Sequence, residues 1–454
     1  MAEVDRVRSS LAVVTAALLL VAGLYLLHLT GGWGALAVTA AVFALLSAWA
    51  WHRHHERDAA LPRDRRMRHE LWGVTRRVLL VLAVWNGFTF VHYVGHDNGD
   101  TVSQRAATWG RDHGFGGVID YLETKAYSTP PSKTPAKSLT LDVPSTTEAP
   151  VVTALPGDTT PSTTAPVGIP QPPAAIAPLI SPALPGEGQW VPIARAGGHD
   201  TMWATALRPL PEAGGVQATM VLVDQTSLRV GLFNGAEEPG GTWMRGSKVP
   251  PELQPALIAT MNGGFRFEHI KGGYMTEGVV VKPLKPGDAT LGVTRAGKLV
   301  LGKLGRDIQD DGSWLSLRQN LELIVDNGQS NVAQGITDGV WWGADFGNKV
   351  YVQRSAVCTL KDGRLAYLLV GMVDANQLAQ ALINVGCTMA MQLDINGTWP
   401  AFLTYALGPD GHVVPHFVDQ RMGGNPRRYL TGSTKEFFAF FATAGVPPQS
   451  VLDR

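Results

Sequence analysis

The chain has 454 residues, of which 45% are hydrophobic and 17% are charged, with 38 Lys and Arg against 38 Asp and Glu. Charged residues usually make up about a quarter of a soluble domain, so apolar spans or uncharged polar tracts are expected here. The balanced charge argues against a nucleic-acid-binding protein, which normally shows a basic domain or stripe. Two cysteines exclude a disulfide-dense scaffold and a multi-cysteine zinc module.

Residues 1–95 are predicted to form a membrane anchor with three spans. Residues 11–29 and 33–51 contain no Asp, Glu, Lys or Arg. Each run is about long enough, at about 1.5 Å per residue, to cross a hydrocarbon core of about 30 Å. A third apolar run at 78–95 is interrupted by polar side chains. The lipid bilayer is therefore an expected partner.

The distribution of arginine predicts the orientation of this anchor. The loop at 52–77 holds eight arginines, whereas the turn at 30–32 holds no basic residue. Basic loops remain on the cytoplasmic side, so the N-terminus is expected inside and the chain after about residue 96 outside. The sequence thus predicts a multi-pass protein of the plasma membrane with an extracytoplasmic C-terminal domain.

Two segments connect the anchor to the rest of the chain. Residues 96–127 carry apolar side chains at helical spacing broken by glycines, which fits a short amphipathic element on the outer membrane face or an ordered stalk. Residues 128–188 contain 14 of the 30 prolines, with Ser, Thr and Ala at most other positions. Such a tract favours an extended, disordered linker with a reach of about 190 Å.

Residues 189–454 are long enough for one sizeable domain, predicted as a sheet-rich α+β or mixed α/β fold. One helix is expected at about 374–385, with Gly386 as its end. Short β-branched and aliphatic segments between glycine turns predict strands. They are residues 218–223, 257–259, 278–281, 298–301, 321–325, 350–360, 365–370 and 390–393.

A set of motifs in this domain resembles the phosphodiester glycosidase family. In chain order they are Asn262-Gly263-Gly264-Phe265, Glu277-Gly278, Leu323-Ile324-Val325-Asp326-Asn327-Gly328, Arg354-Ser355-Ala356-Val357, Asp362-Gly363-Arg364-Leu365, Gly386 and Leu393-Asp394-Ile395-Asn396-Gly397. The resemblance covers most of residues 190–440 and none of the anchor. The order and approximate spacing of the motifs are more specific than any single motif.

The resemblance implies hydrolysis of a sugar-1-phosphodiester between the anomeric carbon and the phosphate oxygen. A phosphate monoester leaves readily, so a cation is needed more than a strong acid, and Arg354 suits that role because guanidinium binds phosphate bidentately. Asp394 and then Glu277 are the candidate catalytic carboxylates. The expected substrate is a phosphate-linked glycan or glycolipid of the cell envelope.

The binding candidates are amide and glycine residues of the same motifs. Asn262 and Asn396 could fix sugar hydroxyls or phosphate oxygens, and the backbone N–H groups of Gly263 and Gly264 could approach an anion. Gly397 belongs to the same expected substrate-binding set. No cofactor and no metal site are predicted, and a metal requirement is left open.

The sequence departs from the family pattern after Asp394. Ile395 and Asn396 replace two glycines, and Ser355 and Cys358 replace a threonine and a glycine of the arginine motif. These changes are compatible with another substrate or with loss of catalysis. A catalytically inactive glycan-binding or scaffold protein of envelope polysaccharide assembly is therefore the alternative function.

Each candidate also has a structural interpretation. Arg354 could pair with a core carboxylate, Glu277 could be a surface turn residue, and Asn262 could only shape a tight turn with its glycines. Trp341, Trp342 and Trp399 could stack on sugar rings or fill the core. Cys358 and Cys387 could form a disulfide, which persists outside the cytoplasm, or remain two buried thiols.

Overall fold

The computed structural model describes residues 72, 75, 83, 85–96, 102–141, 171–337, 342–343, 350–396, 398–408 and 410–453. The predicted spans at 11–29 and 33–51 lie outside these ranges. Within them, no helix has both the length and the apolar character needed to cross a bilayer. The chain divides into two compact units, Met1–Thr89 and Phe90–Arg454, and the second contains the candidate catalytic domain.

The second unit begins with helical residues that precede the sheets. Residues 85–95 are helical. Helix α1 spans Val102–Gly110, a π-helical turn follows at Arg111–Phe115, and helix α2 spans Gly116–Ala126. The turn departs from helical geometry at Gly114, whose φ of 85° lies in the left-handed region that glycine tolerates.

In the part of the chain that the structure describes, eighteen strands form three sheets. Their bounds are β1 Val191–Ala196, β2 His199–Leu207, β3 Ala218–Val223, β4 Leu228–Phe233, β5 Leu257–Asn262, β6 Tyr274–Thr276, β7 Val279–Lys282, β8 Ala289–Thr294, β9 Leu299–Lys303, β10 Trp314–Gln319, β11 Leu323–Asp326, β12 Gln329–Ser330, β13 Val352–Leu360, β14 Leu365–Val373, β15 Cys387–Ile395, β16 Phe402–Leu407, β17 Val413–Phe417 and β18 Phe437–Ala442.

The largest sheet has eight strands in the order β1-β2-β3-β14-β13-β15-β11-β12. The two smaller sheets have five strands each, in the orders β7-β6-β10-β8-β9 and β17-β16-β5-β18-β4. Strand neighbours within all three sheets pair antiparallel. The sheet-rich fold predicted from the sequence is therefore confirmed for the C-terminal domain.

The main hydrophobic core lies where the three sheets face one another. It includes Val357 and Leu393 from the eight-stranded sheet, Leu291 from one smaller sheet, and Phe402 and Phe438 from the other. A second core covers the opposite face of the eight-stranded sheet. The eight-stranded sheet is thus buried on both faces, which explains its long apolar strands.

The second core is covered by helices α3, Val332–Thr337, and α4, Ala375–Asn384. Asp374 caps α4 by accepting a hydrogen bond from the N–H of Gln377, and the Gln377 side chain completes the capping box. Gly386 follows the helix with a φ of 93°. The predicted helix and its glycine end are therefore confirmed, with bounds one residue shorter at each terminus.

The remaining helical pieces are short. Helix α5 spans Arg428–Thr431, and 3-10 turns lie at Pro211–Ala213, Pro251–Ala256, Thr443–Gly445 and Val451–Asp453.

The structure places Cys358 of β13 and Cys387 of β15 in a disulfide, with Cα atoms 5.7 Å apart. These strands are neighbours in the eight-stranded sheet, where Cys358 pairs in register with Ala390. Of the two alternatives that the sequence allowed, the structure has the bridge. The two cysteines are 29 residues apart in sequence, and β14 and α4 lie between them.

Both described ends of the Pro-rich tract pack on the domain. Near its start, the Gly215 N–H donates to the Ser132 carbonyl over 3.0 Å. Near its end, the buried Arg208 guanidinium donates to the carbonyls of Ile180 and Pro182 over 3.1 and 2.8 Å. Residues 128–141 and 171–188 thus differ from the extended linker expected from composition, because the domain satisfies their backbone groups.

Candidate functional site

The candidate site lies where the three sheets meet. Asn262, the last residue of β5, pairs with Phe437 at the start of β18. Asp394 lies near the end of β15, and its N–H donates to the Gly263 carbonyl over 3.1 Å. Arg318 reaches the same region from β10. Strand ends from all three sheets therefore converge on one polar cluster.

The centre of this cluster is an ion pair between Asp394 and Lys435. The Lys435 ammonium contacts Asp394 Oδ2, and the two side chains are only 7% exposed for the lysine and 9% for the aspartate. Burial raises the pKa of Asp394 above its ordinary value, and the positive charge of Lys435 opposes that rise. The same ammonium lies 4.9 Å from the centre of the Trp399 ring. An aromatic face thus lines the cluster beside its cation.

A second buried ion pair lies next to the first in sequence and space. Arg318 Nε donates to Glu436 Oε1 over 2.6 Å, and both side chains are fully buried. The Gly264 N–H donates to the same oxygen over 2.9 Å. Glu436 Oε2 is buried and has no hydrogen-bond partner among the described residues. This carboxylate therefore keeps one acceptor oxygen for another group.

Glu238 adds a carboxyl group whose pKa is raised to about 7. Desolvation is the largest cause, and the negative charge of Glu436 adds to it, whereas Lys435 acts in the opposite direction. Glu238 Oε2 accepts a hydrogen bond of 3.2 Å from the Phe267 N–H. A carboxyl that titrates near neutrality can exchange a proton during a reaction at that pH.

The cluster combines the cations Lys435 and Arg318 with several carboxylates in a largely dry environment. Among the residues that the structure describes, no group of three or more His, Cys, Asp or Glu side chains could hold a metal ion. The side chains of the cluster can themselves bind a phosphate group, stabilise a positive centre and move a proton.

Of the residues predicted from the sequence, Asn262 lies at this junction with its amide occupied by neighbouring groups. Its Oδ1 accepts from the Tyr367 hydroxyl over 2.9 Å and from the Ala401 N–H over 3.0 Å. Its Nδ2 donates to Ser355 Oγ over 3.1 Å. Ser355 in turn donates to the Asp394 carbonyl over 2.6 Å. Asn262 thus fixes the backbone around the aspartate.

Gly263 and Gly264 pass close to charged and polar side chains, so that an added side chain would clash at Gly263 and fit only tightly at Gly264. A Cβ atom on Gly263 would lie 2.4 Å from Glu436 Oε1, and one on Gly264 would lie 3.0 Å from Asn320 Oδ1. The expected hydrogen bond from a glycine N–H to an anion is present at Gly264. The anion there is the protein's own Glu436 carboxylate.

Arg354 occupies a different environment from the one expected for a phosphate ligand. Its fully buried guanidinium donates to the carbonyls of Val373, Trp342 and Val350 over 2.9, 2.6 and 3.2 Å. It pairs in register with Ile395, next to Asp394 in the chain. These contacts tie the loop before β13 to the end of β14 through backbone carbonyls.

The other predicted residues are distributed around the site. Glu277 lies in the β6–β7 turn and accepts the N–H groups of Met244 and Arg245 over 3.2 and 2.8 Å. Asn396 follows β15 with a φ of 82°, and its N–H donates to the Gln353 carbonyl over 2.9 Å. Gly397 and Trp341 lie outside the described residues. Trp342 is fully buried in the second core.

Four residues of the cluster were not predicted from the sequence: Lys435, Glu436, Arg318 and Glu238. A weak signal exists for the first two, since two adjacent charged residues directly precede the apolar strand Phe437–Ala442. Arg318 is a charged residue within the buried strand β10, where a charged side chain usually needs a partner of opposite charge. Glu238 lies in a loop, and its burial depends on residues distant in sequence.

The comparison with protein families is consistent with the motifs. Residues 256–394 match the family model of phosphodiester glycosidases. No curated protein is similar enough to match the chain. One similar solved structure is the catalytic domain of zebrafish N-acetylglucosamine-1-phosphodiester alpha-N-acetylglucosaminidase, auto-inhibited by its pro-peptide. It has 17% identity and a TM-score of 0.37, over 54% of this chain and 86% of that chain.

A second similar structure is a hypothetical protein from Synechocystis, with 9% identity and a TM-score of 0.34. The match covers 53% of this chain and 62% of that chain. The family match includes Asn262, Glu277, Arg354 and Asp394, and ends at the aspartate. The family resemblance predicted from the motifs is confirmed, and the C-terminal part of the chain carries a phosphodiester glycosidase domain at residues 256–394.

Proposed function

We propose that this protein is a membrane-anchored, extracytoplasmic hydrolase that cleaves a sugar-1-phosphodiester in a cell-envelope glycan or glycolipid. The family match supports a glycosidase at the level of the family. The observation that carries the proposal for this chain is the buried Asp394–Lys435 ion pair at the end of the matched stretch. Glu238, with its pKa of about 7, supplies a second carboxyl near the same ammonium.

In the proposed reaction, the substrate phosphate binds Lys435 and the sugar packs on Trp399. An ammonium has three N–H donors, so Lys435 can contact Asp394 and a phosphate oxygen together. Asp394 stabilises the positive charge that develops at the anomeric carbon. Glu238 accepts a proton from the attacking water. The bond between the anomeric carbon and the bridging oxygen breaks, and that oxygen leaves with the phosphate monoester.

The proposed location rests on the sequence. The apolar runs at 11–29, 33–51 and 78–95 and the arginine-rich loop at 52–77 support a three-span anchor with the catalytic domain outside the cytoplasm. The Cys358–Cys387 disulfide fits an oxidising compartment.

The test is hydrolysis of a panel of sugar-1-phosphodiesters by the full chain in detergent, followed by phosphorus and anomeric proton NMR. The full chain is required because residues 128–141 and 171–188 pack on the domain. We expect free sugar and a phosphate monoester from the native protein and from Asp310→Asn, an exposed isosteric control. Asp394→Asn should lose at least about a hundred-fold in rate, as expected when a main charge-stabilising group is removed. Equal rates for both variants would contradict the proposal.

The alternative is a glycan-binding module without turnover. The observation that favours it is the direct contact of Lys435 with Asp394, together with Ile395 and Asn396 at positions where the family resemblance implies glycines. Saturable binding of an envelope glycan without product from any member of the panel would establish this alternative.

A further inference from the structure

The helical residues at 90–95 and 102–126, here called the helical segment, are attached to loops that also carry site residues. The Tyr93 hydroxyl donates to Glu237 Oε1 over 2.8 Å. Arg266 Nη2 lies 3.5 Å from the Glu237 carboxylate and 3.4 Å from Thr108 Oγ1 of α1. Glu237 directly precedes Glu238, the proposed proton acceptor. The segment is therefore held beside the candidate site.

One side of helix α1 is buried and carries polar side chains. Gln104, Arg105 and Thr108 are only 6%, 8% and 6% exposed. Polar side chains are rarely buried unless they meet other polar groups. Thr108 on this side contacts Arg266, which also lies beside the Glu237 carboxylate.

The same segment has an exposed apolar surface, which we name the apolar stripe. It consists of Phe115, Val118, Tyr121 and Leu122, which are 51%, 58%, 64% and 58% exposed. On α2 the spacing of Val118, Tyr121 and Leu122 places them on one side of the helix. An exposed group of large apolar residues usually marks an interaction surface.

Chain continuity favours the bilayer as the partner of the stripe. The predicted third span ends at residue 95, and α1 begins at Val102. An extended chain advances at most about 3.6 Å per residue. The residues between 95 and 102 therefore keep the start of α1 within roughly 25 Å of the bilayer surface. Tyr93 near the end of the span has the side chain that prefers the membrane–water interface. The long tract that follows at 128–188 does not separate this segment from the domain, because both of its described ends pack there.

We propose that the apolar stripe lies in the outer bilayer interface, so that the candidate site receives a lipid-linked sugar phosphodiester presented by the membrane. This inference rests on the proposed hydrolase function and narrows its substrate class. The occupant of the stripe is the bilayer itself, and soluble wall polymers become the poorer substrates.

The reaction on such a substrate is balanced by one water molecule. The bond between the anomeric carbon and the phosphate-bridging oxygen breaks, and the water oxygen bonds to the anomeric carbon. One water proton stays on the new sugar hydroxyl, and the other goes to Glu238 and then to solvent. The second product is a lipid phosphate monoester, which remains in the bilayer.

The first test compares two substrates with the same sugar-1-phosphate, one esterified to a long isoprenoid in vesicles and one to methyl in solution. The enzyme is the full chain in the same vesicles. Val118→Glu combined with Leu122→Glu should lower turnover of the vesicle substrate at least about ten-fold and leave the methyl substrate unchanged. Leu407→Glu, at an exposed apolar residue of β16, should change neither rate. Equal loss with both substrates, or no loss with either, would overturn the inference.

The second test does not depend on activity. A fluorophore attached at Leu122→Cys should be quenched by brominated lipids, and the same label at Leu407→Cys should not. Quenching without turnover of either substrate would contradict the proposed hydrolase and leave the membrane contact standing. Turnover without quenching at Leu122, or equal quenching at both positions, would contradict the membrane contact and leave the hydrolase standing.

Discussion

Lys435 and Asp394 form an ion pair that is almost completely removed from solvent, with side chains 7% and 9% exposed. Lys435 comes from the residues that precede β18, and Asp394 comes from β15 in another sheet. The pair therefore joins two sheets with opposite charges. Because each ion is desolvated, neither charge is tolerated without the other.

Replacement of Lys435 should show this dependence. Lys435→Met leaves the buried carboxylate without its cation, and we expect the free energy of unfolding at pH 8 to fall by about 3–5 kcal/mol. The double variant Lys435→Met with Asp394→Asn should recover most of that loss, because the unpaired charge is gone. Urea denaturation of the full chain measures both values. A loss below about 1 kcal/mol in the single variant would show that the pair is not buried as described.

Glu238 predicts the pH dependence of activity. Its pKa of about 7 means that the carboxylate needed to accept a proton from water forms as the pH rises through neutrality. The ratio kcat/KM of the native protein should therefore increase between about pH 6 and 8 with a midpoint near 7. Glu238→Gln should abolish this limb and retain an acceptor for the Phe267 N–H. An unchanged limb in the variant would assign the titration to another group.

The same carboxyl also predicts a pH dependence of stability. The pKa of Glu238 is raised from 4.5 to about 7 in the folded state, so the folded protein binds a proton that the unfolded chain has released. The contribution of this carboxyl to the free energy of unfolding is fully present below about pH 4.5 and is lost as the pH rises through 7. Glu238→Gln should therefore stabilise the protein at pH 8 by on the order of 2 kcal/mol relative to the native chain, and not at pH 4.

Helix α4 and Lys435 illustrate what the sequence could and could not predict. The helix has its own capping box, apolar spacing and terminal glycine within a dozen residues, so local rules locate it. Strands β3 and β13 were also located because their apolar runs are bounded by turns. Lys435 becomes part of the site only through Asp394, which is 41 residues away in sequence. No local pattern carries that information.

Asp394 and Arg354 show the same contrast within one motif set. The motif resemblance predicts Asp394 as a catalytic carboxylate, and the structure places it in the buried ion pair at the junction of the sheets. Arg354 was expected to bind phosphate because of its residue type, whereas the fold surrounds its guanidinium with three backbone carbonyls. Residue type alone does not distinguish these two uses of an arginine. The surrounding loop geometry decides between them.

Gly263 should not tolerate any side chain. A Cβ atom there would lie 2.8 Å from the backbone oxygen of Glu436, which β18 holds in place. We expect Gly263→Ala to lower the free energy of unfolding by about 1–3 kcal/mol and to disturb Asp394, whose N–H binds the Gly263 carbonyl. Gly117→Ala on α2 is the control, because no atom lies within 4 Å of its added Cβ. The control should be neutral or stabilising by up to about 1 kcal/mol in thermal or urea unfolding.

Arg354 should matter for folding more than for substrate binding. Arg354→Lys keeps the charge but cannot reach all three carbonyls, so we expect about 2–3 kcal/mol of destabilisation. In the folded fraction, KM for a sugar phosphodiester should remain within about two-fold of the native value. A large rise in KM with unchanged stability would instead assign this guanidinium to the substrate phosphate.

The position of bond cleavage tests the central claim most directly. Hydrolysis of a sugar-1-phosphodiester by the full chain in water enriched in oxygen-18 should give a phosphate monoester without the heavy isotope, read from the phosphorus NMR isotope shift. That result follows if water attacks the anomeric carbon beside Asp394 and the bridging oxygen leaves with phosphate. Oxygen-18 in the phosphate monoester would mean attack at phosphorus and would contradict a glycosidase.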